Sequence, residues 1–113
     1  MSNKNDRQDE IINATDSTLT LDPDEETREP PLYVVIMHND DYTPMDFVIE
    51  VLQDIFKKNS KDAENIMLNV HRQGACVCGR YPRDIAETKS NLSNNRAQLN
   101  GHPLKCTFEK ETE

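Results

Sequence analysis

The 113-residue chain has no tryptophan, and its few aromatic residues are three phenylalanines and three tyrosines. No apolar run approaches the ~20 residues needed to span a bilayer, so a membrane helix is excluded. The first residues lack the apolar stretch of a secretory signal. Lysine and arginine number 13 against 21 aspartates and glutamates. That shortage argues against nucleic acid, whose phosphates demand cations. Cysteine is limited to Cys76, Cys78 and Cys106, an odd number that includes a pair too close to bridge comfortably within a strand. This fits a reducing cytoplasm. There is no internal repeat, and the one biased tract is the acidic stretch from Asp22 to Glu29.

Charge is unevenly placed. Residues 1–30 hold nine acidic and three basic residues, hence six of the eight net negative charges. They contain no aromatic residue and few apolar ones. Such a segment cannot bury enough surface to offset the entropy of ordering it, so a disordered extension is expected over 1–30. A single small domain is expected over 31–113.

Within that domain the apolar pattern changes period. Leu32 to Met37 is a continuous run rich in Val and Ile, which reads as a buried strand. After Asn39-Asp40-Asp41, Thr43 is expected to cap a helix with Pro44 at its first position and Asp46 completing a capping-box variant. Val48, Val51, Leu52 and Ile55 recur at helical spacing. Lys57-Lys58-Asn59 interrupts, and Ser60 is expected to cap a second helix with Ala63, Ile66, Met67 and Val70 on its apolar stripe and Gly74 as its stop. Ala75 to Tyr81 reads as a second strand. Pro82 opens a third helix whose polar end, Asn91 to Asn100, is expected to fray. Leu104, Cys106 and Phe108 alternate with polar residues, the pattern of a half-exposed strand. The fold class is therefore α+β, in the order β-α-α-β-α-β.

The run from His38 to Val48 concentrates chemistry. Asn39, Asp40 and Asp41 place a carboxamide and two carboxylates beside the hydroxyl of Thr43 and the thioether of Met45. Their ordinary role is to shape a strand-to-helix turn. Their other role is to receive a cation: a peptide α-amine has a pKa near ~8 and offers three donors at neutral pH. His71, at the end of the second helix, suits the negative end of the helix dipole. A neutral imidazole there can also accept from an ammonium. Met45, Met67, Val48, Val70 and Leu104 are by default core residues.

Asn39-Asp40-Asp41-Tyr42-Thr43-Pro44-Met45 followed by Asp46-Phe47-Val48 resembles the signature of the ClpS family, adaptors that hand N-degron substrates to a Clp protease. Four further blocks continue the resemblance: Val70-His71-Arg72-Gln73-Gly74, Cys78-Gly79, Ala86-Glu87-Thr88-Lys89, and His102-Pro103-Leu104-Lys105-Cys106-Thr107. They stand in the family's order from Pro31 to about Lys110. The resemblance implies a small antiparallel sheet with helices on one face. It implies that Asn39, Asp40 and His71 hold the degron's α-amine within the acidic run that includes Asp41, and that Thr43 contacts its backbone. Met45 is implied as a gate against branching at Cβ, and Val48, Met67, Val70 and Leu104 as walls of a side-chain pocket. Asp84, Glu87 and Lys89 are implied to dock on the N-terminal domain of the ClpA unfoldase. Asp84 is shorter than the usual Glu, and Pro82 stands where a capping Thr is common. No cofactor is implied, and the expected form is a monomer.

Two readings compete. One is an interaction module of similar fold whose acidic loop merely shapes a surface. The other is a cysteine hydrolase using Cys78, His71 and Asp40. It lacks an evident oxyanion hole, since no Gly-rich turn stands beside the cysteines. A zinc site from Cys76, Cys78, Cys106 and His71 is disfavoured by the Cys-x-Cys spacing.

Overall fold

The computed structural model describes residues 30–112. The expected extension over 1–30, and its boundary at residue 30, fall on or beside residues outside that range. The elements are β1 (Leu32–His38), α1 (Met45–Asp54), α2 (Ser60–Gln73), β2 (Ala75–Pro82), α3 (Arg83–Leu99) and β3 (Lys105–Lys110). They follow the order read from the sequence. The strands form one antiparallel sheet in the order β2-β1-β3.

The apolar run of β1 takes the centre of the sheet, where both edges of its backbone find partners. Val35 and Met37 are fully buried against the helices. Val48, Val51 and Leu52 from α1, with Ala63, Met67 and Val70 from α2, complete the core. Phe47 and Phe56 join them. The register shifts between Val35 and Ile36, leaving Cys78 as the extra residue on β2. This bulge matches the burial of Cys78 in the core.

Three expectations about helix starts need correction. Thr43 does not cap α1: its hydroxyl donates to Asp40 Oδ2 at 2.7 Å, and Pro44 occupies the cap position with no side-chain bond. Pro44 thus precedes the first helical residue, and no capping box forms. Asn59, one residue before Ser60, caps α2 by accepting the Asp62 N–H at 2.8 Å. Pro82 similarly caps α3 rather than opening it.

The polar end of α3 does not fray. It stays helical to Leu99 because its inner face is made of small residues, Ala86, Ser90, Ser93 and Ala97, all buried. Those let the helix approach the sheet closely. Asn94 then grips the Cys106 peptide from both sides, accepting its N–H at 2.7 Å and donating to its carbonyl at 3.0 Å. Ser90 donates to the same carbonyl at 3.0 Å. Asn94 does for β3 what a neighbouring strand would.

Gly74 ends α2 in the left-handed region, with φ 89° and ψ −20°. Its carbonyl accepts the Asn39 N–H at 2.9 Å, so the helix stop is stitched to the loop after β1. A Cβ at Gly74 meets nothing within 4 Å, so replacing it tests backbone strain alone. Gly74→Ala should lower unfolding free energy by about 1 kcal/mol in urea titrations. Asn94→Ala, which orphans the Cys106 peptide, should cost roughly 1–3 kcal/mol.

Candidate functional site

Where β1 ends, the chain has six residues, 39–44, to turn into α1. Asp40 organises that turn. Its Oδ1 accepts the N–H groups of Tyr42 at 2.8 Å and Thr43 at 2.7 Å, and its Oδ2 accepts the Thr43 hydroxyl. Partial burial pushes its carboxyl up, but the Thr43 hydroxyl, the two backbone N–H groups and nearby His102 outweigh it. The net pKa lies below the ordinary value. Asp40 is therefore ionised at neutral pH, and a carboxylate's roughly four acceptor positions are mostly taken.

The turn forms one wall of a cavity of ≈ 160 Å³. Asn39, Asp40, Asp41 and Thr43 line its polar side, with His71 from the last turn of α2. Val48, Met67, Val70 and Leu104 line its apolar side. Those four are buried, whereas Met45 stands at the mouth, 49% exposed. All ten residues expected at the site thus meet around one cavity. His38 lines it too, a residue that opens the His38–Val48 run but has no site role in the sequence reading. His102 was also passed over as a site residue. It packs edge-on against Phe47 at 4.5 Å between ring centroids, and its charge acts on Asp40. No local pattern foretells that contact, because His102 and Asp40 are 62 residues apart.

The field at the cavity favours a cation on two counts. Two adjacent carboxylates stand on the rim, and the C-terminal, negative end of the α2 dipole points there. Size favours a ring or a branched chain. A dry apolar cavity of about 150 Å³ accepts benzene, so this volume is large enough for a side chain of that order.

The three residues expected to dock a partner do not share a face. Asp84 and Glu87, three apart on α3, project on the same side of a 100°-per-residue helix. Lys89 turns to the other flank. Its Nζ donates to the Ile55 carbonyl at 2.6 Å and lies 5.2 Å from the centre of the Tyr81 ring.

Cys78 and Cys106 are not poised as nucleophiles. Burial pushes the Cys78 thiol far above its ordinary pKa and the Cys106 thiol up to about 11. Both stay protonated at neutral pH. β1 lies between the strands that carry them, which separates Cys76 and Cys78 from Cys106. Among the described residues, no group of three or more His, Cys, Asp or Glu side chains is placed to hold a metal ion. None of the described helices is long and apolar enough to cross a membrane.

Residues 28–107 match the family model for ATP-dependent Clp protease adaptor protein ClpS. The ATP-dependent Clp protease adapter protein ClpS of Herminiimonas arsenicoxydans is 46% identical over 99 residues, covering 88% of this chain and 97% of the relative. That of Janthinobacterium sp. (strain Marseille) has the same identity and coverage. The structure of Agrobacterium tumefaciens ClpS2 bound to L-phenylalaninamide superposes with a TM-score of 0.72 at 40% identity, covering 74% of this chain and all of that one.

If the Thr43 hydroxyl braces Asp40, Thr43→Val should lower stability by about 1 kcal/mol at neutral pH, and Thr43→Ser should restore it. The sign of the pH dependence follows from a lowered carboxyl pKa. The Asp40 contribution is complete above the ~3.9 of an unfolded aspartate and disappears as pH falls through the lower folded value. Denaturation curves of wild type and Thr43→Val should therefore converge in strong acid. A constant gap between them down to pH ~2 contradicts the brace.

Proposed function

The chain belongs to the ClpS family of Clp protease adaptors, and from that premise we propose that its cavity receives N-degrons and that the adaptor delivers them to the ClpA unfoldase of ClpAP. The supporting observation is a cavity with a buried apolar floor and an acidic rim. A protein beginning with Leu, Phe, Tyr or Trp presents an ammonium and a large side chain from one carbon atom. The ligand in the Agrobacterium ClpS2 structure, L-phenylalaninamide, has the same two parts.

The residues divide the work. Asn39 offers its carboxamide oxygen to the ammonium, and His71 offers a ring nitrogen. Asp40 supplies charge, but its oxygens mainly hold the turn, so Asp41 is the freer counter-charge. Thr43 meets the degron backbone while holding Asp40. Val48, Met67, Val70 and Leu104 surround the first side chain. Their thioether and branched aliphatic surfaces adapt to aromatic and aliphatic occupants. Met45 at the mouth fills the space a Cβ branch needs.

Magnitudes say which contact dominates. Burying a Leu or Phe side chain contributes roughly 1.5–3 kcal/mol. A micromolar complex requires about 8 kcal/mol. The ammonium contacts must therefore supply most of the rest, which is why a free α-amine is required.

Delivery uses other parts of the chain. Asp84 and Glu87 on one flank of α3, and Lys89 on the other, engage the N-terminal domain of ClpA. The acidic residues 1–30, ahead of the adaptor core, act in the transfer step. The adaptor works as a cytoplasmic monomer.

Degradation of a Phe-starting reporter by ClpA with ClpP tests the whole reading. Wild type should accelerate it, and deletion of residues 2–28 should abolish that effect without changing degron affinity. Full acceleration by the truncated chain overturns the role of 1–30. Asp41→Asn should weaken a Phe-starting peptide roughly tenfold or more with the melting temperature unchanged. Met45→Ala should admit Val- and Ile-starting peptides while Phe and Leu still bind. Continued rejection of Val and Ile removes Met45 as the gate.

A further inference from the structure

α3 is built inside out. Its buried line is small, Ala86, Ser90, Ser93 and Ala97. Its large apolar side chains, Ile85, Leu92 and Leu99, face solvent at 43%, 51% and 87% exposure. An amphipathic helix normally turns such residues inward. Here they are spaced by seven, so they stay in one line with a drift of only ~20° per repeat. Lys89 and Arg96, also seven apart, run alongside. Singly exposed leucines are ordinary, but three in a line are a surface.

That line borders a second cavity of ≈ 450 Å³, between α3 and the end of α1. Ile55, Leu92 and Leu99 give it apolar surface. Lys57, Lys89 and Arg96 stand around it with a single acid, Asp54. The excess of cations is notable on a chain of net charge −8. Two of the cations are held in place: Lys89 by the Ile55 carbonyl, and Arg96 by Asp54 at 2.8 Å. Lys89 and Arg96 stand three and four residues from Leu92, so they flank it along α3.

The cavity shares no lining residue with the first one. Met45 and Val48 of α1 line one, and Asp54 at its end lines the other, so about 9 Å of helix separates them.

We propose that this ridge and groove dock an acidic amphipathic helix presented by a protein partner. A repeat of seven matches the surface of another α-helix lying along α3. The cationic rim selects glutamate or aspartate beside the partner's apolar line. A second copy of this chain fits poorly. Antiparallel pairing of two α3 helices about Leu92 brings Lys89 and Arg96 of the two copies together, and like charges repel. The surface goes beyond docking through Asp84 and Glu87, which occupy another flank, and shares only Lys89 with that proposed contact. It does not require the degron cavity.

The test is an NMR titration of the ¹⁵N-labelled full chain with a designed helical peptide of about 18 residues, leucine on one face and glutamate elsewhere. A control peptide carries lysine for every glutamate. The acidic peptide should shift amides of α3 and of residues 54–57, and bind at least about tenfold tighter than the control. Leu99→Glu and Lys57→Glu should each weaken it about tenfold with unchanged melting temperature. Val77→Glu, on the exposed outer face of the sheet, should leave affinity unchanged. Equal binding of both peptides overturns the proposal, as does absence of shifts on α3 at millimolar peptide. Sedimentation showing a dimer that Leu99→Glu dissociates overturns it in favour of a second copy.

Discussion

One carboxylate holds the candidate site together. Asp40 closes the turn between β1 and α1 by accepting two backbone N–H groups and the Thr43 hydroxyl. Those three bonds set where Asn39, Asp41 and Met45 project. The turn is tied on its other side by the Asn39 N–H to the carbonyl of Gly74, which needs the left-handed backbone only glycine adopts cheaply. A loop without these ties would not keep two adjacent carboxylates at the mouth of an apolar cavity, because their mutual repulsion favours spreading them into water.

The parts of the fold legible in the sequence are those decided by burial. A continuous Val/Ile run became the central strand, and two stripes at helical spacing became α1 and α2. What stayed illegible was decided by side chains distant in the chain. Thr43 reads as a cap until Asp40 is seen to hold its hydroxyl. The Asn91–Asn100 stretch reads as frayed until Cys106 of β3 is seen to be gripped by Asn94. His102 beside Asp40 is the same kind of case. For the cavity, the residues were legible through the motif blocks and their order. Their convergence needed the fold, since no spacing rule places Leu104 next to Val48.

α1 gives the protein its two-ended character. Its first residues border an acidic-rimmed cavity, and its last residues border a cationic, apolar groove. An adaptor must hold a substrate and a machine at once without one blocking the other. The two cavities border opposite ends of one helix, so in this account a partner seated on the groove leaves the first cavity open. In this account the small residues of α3 are what free its large apolar side chains for the second surface, since Ala and Ser suffice to pack the helix on the sheet.

The central claim is that the first cavity recognises a charged α-amine together with its side chain. Calorimetry of the full chain with a Phe-starting peptide and with its N-acetylated twin tests this most directly. The two ligands share every apolar contact and differ in one charge. The account predicts measurable binding of the free-amine peptide and at least about a hundredfold weaker binding of the acetylated one. Equal affinities would contradict it, and would leave the acidic turn as a structural element only.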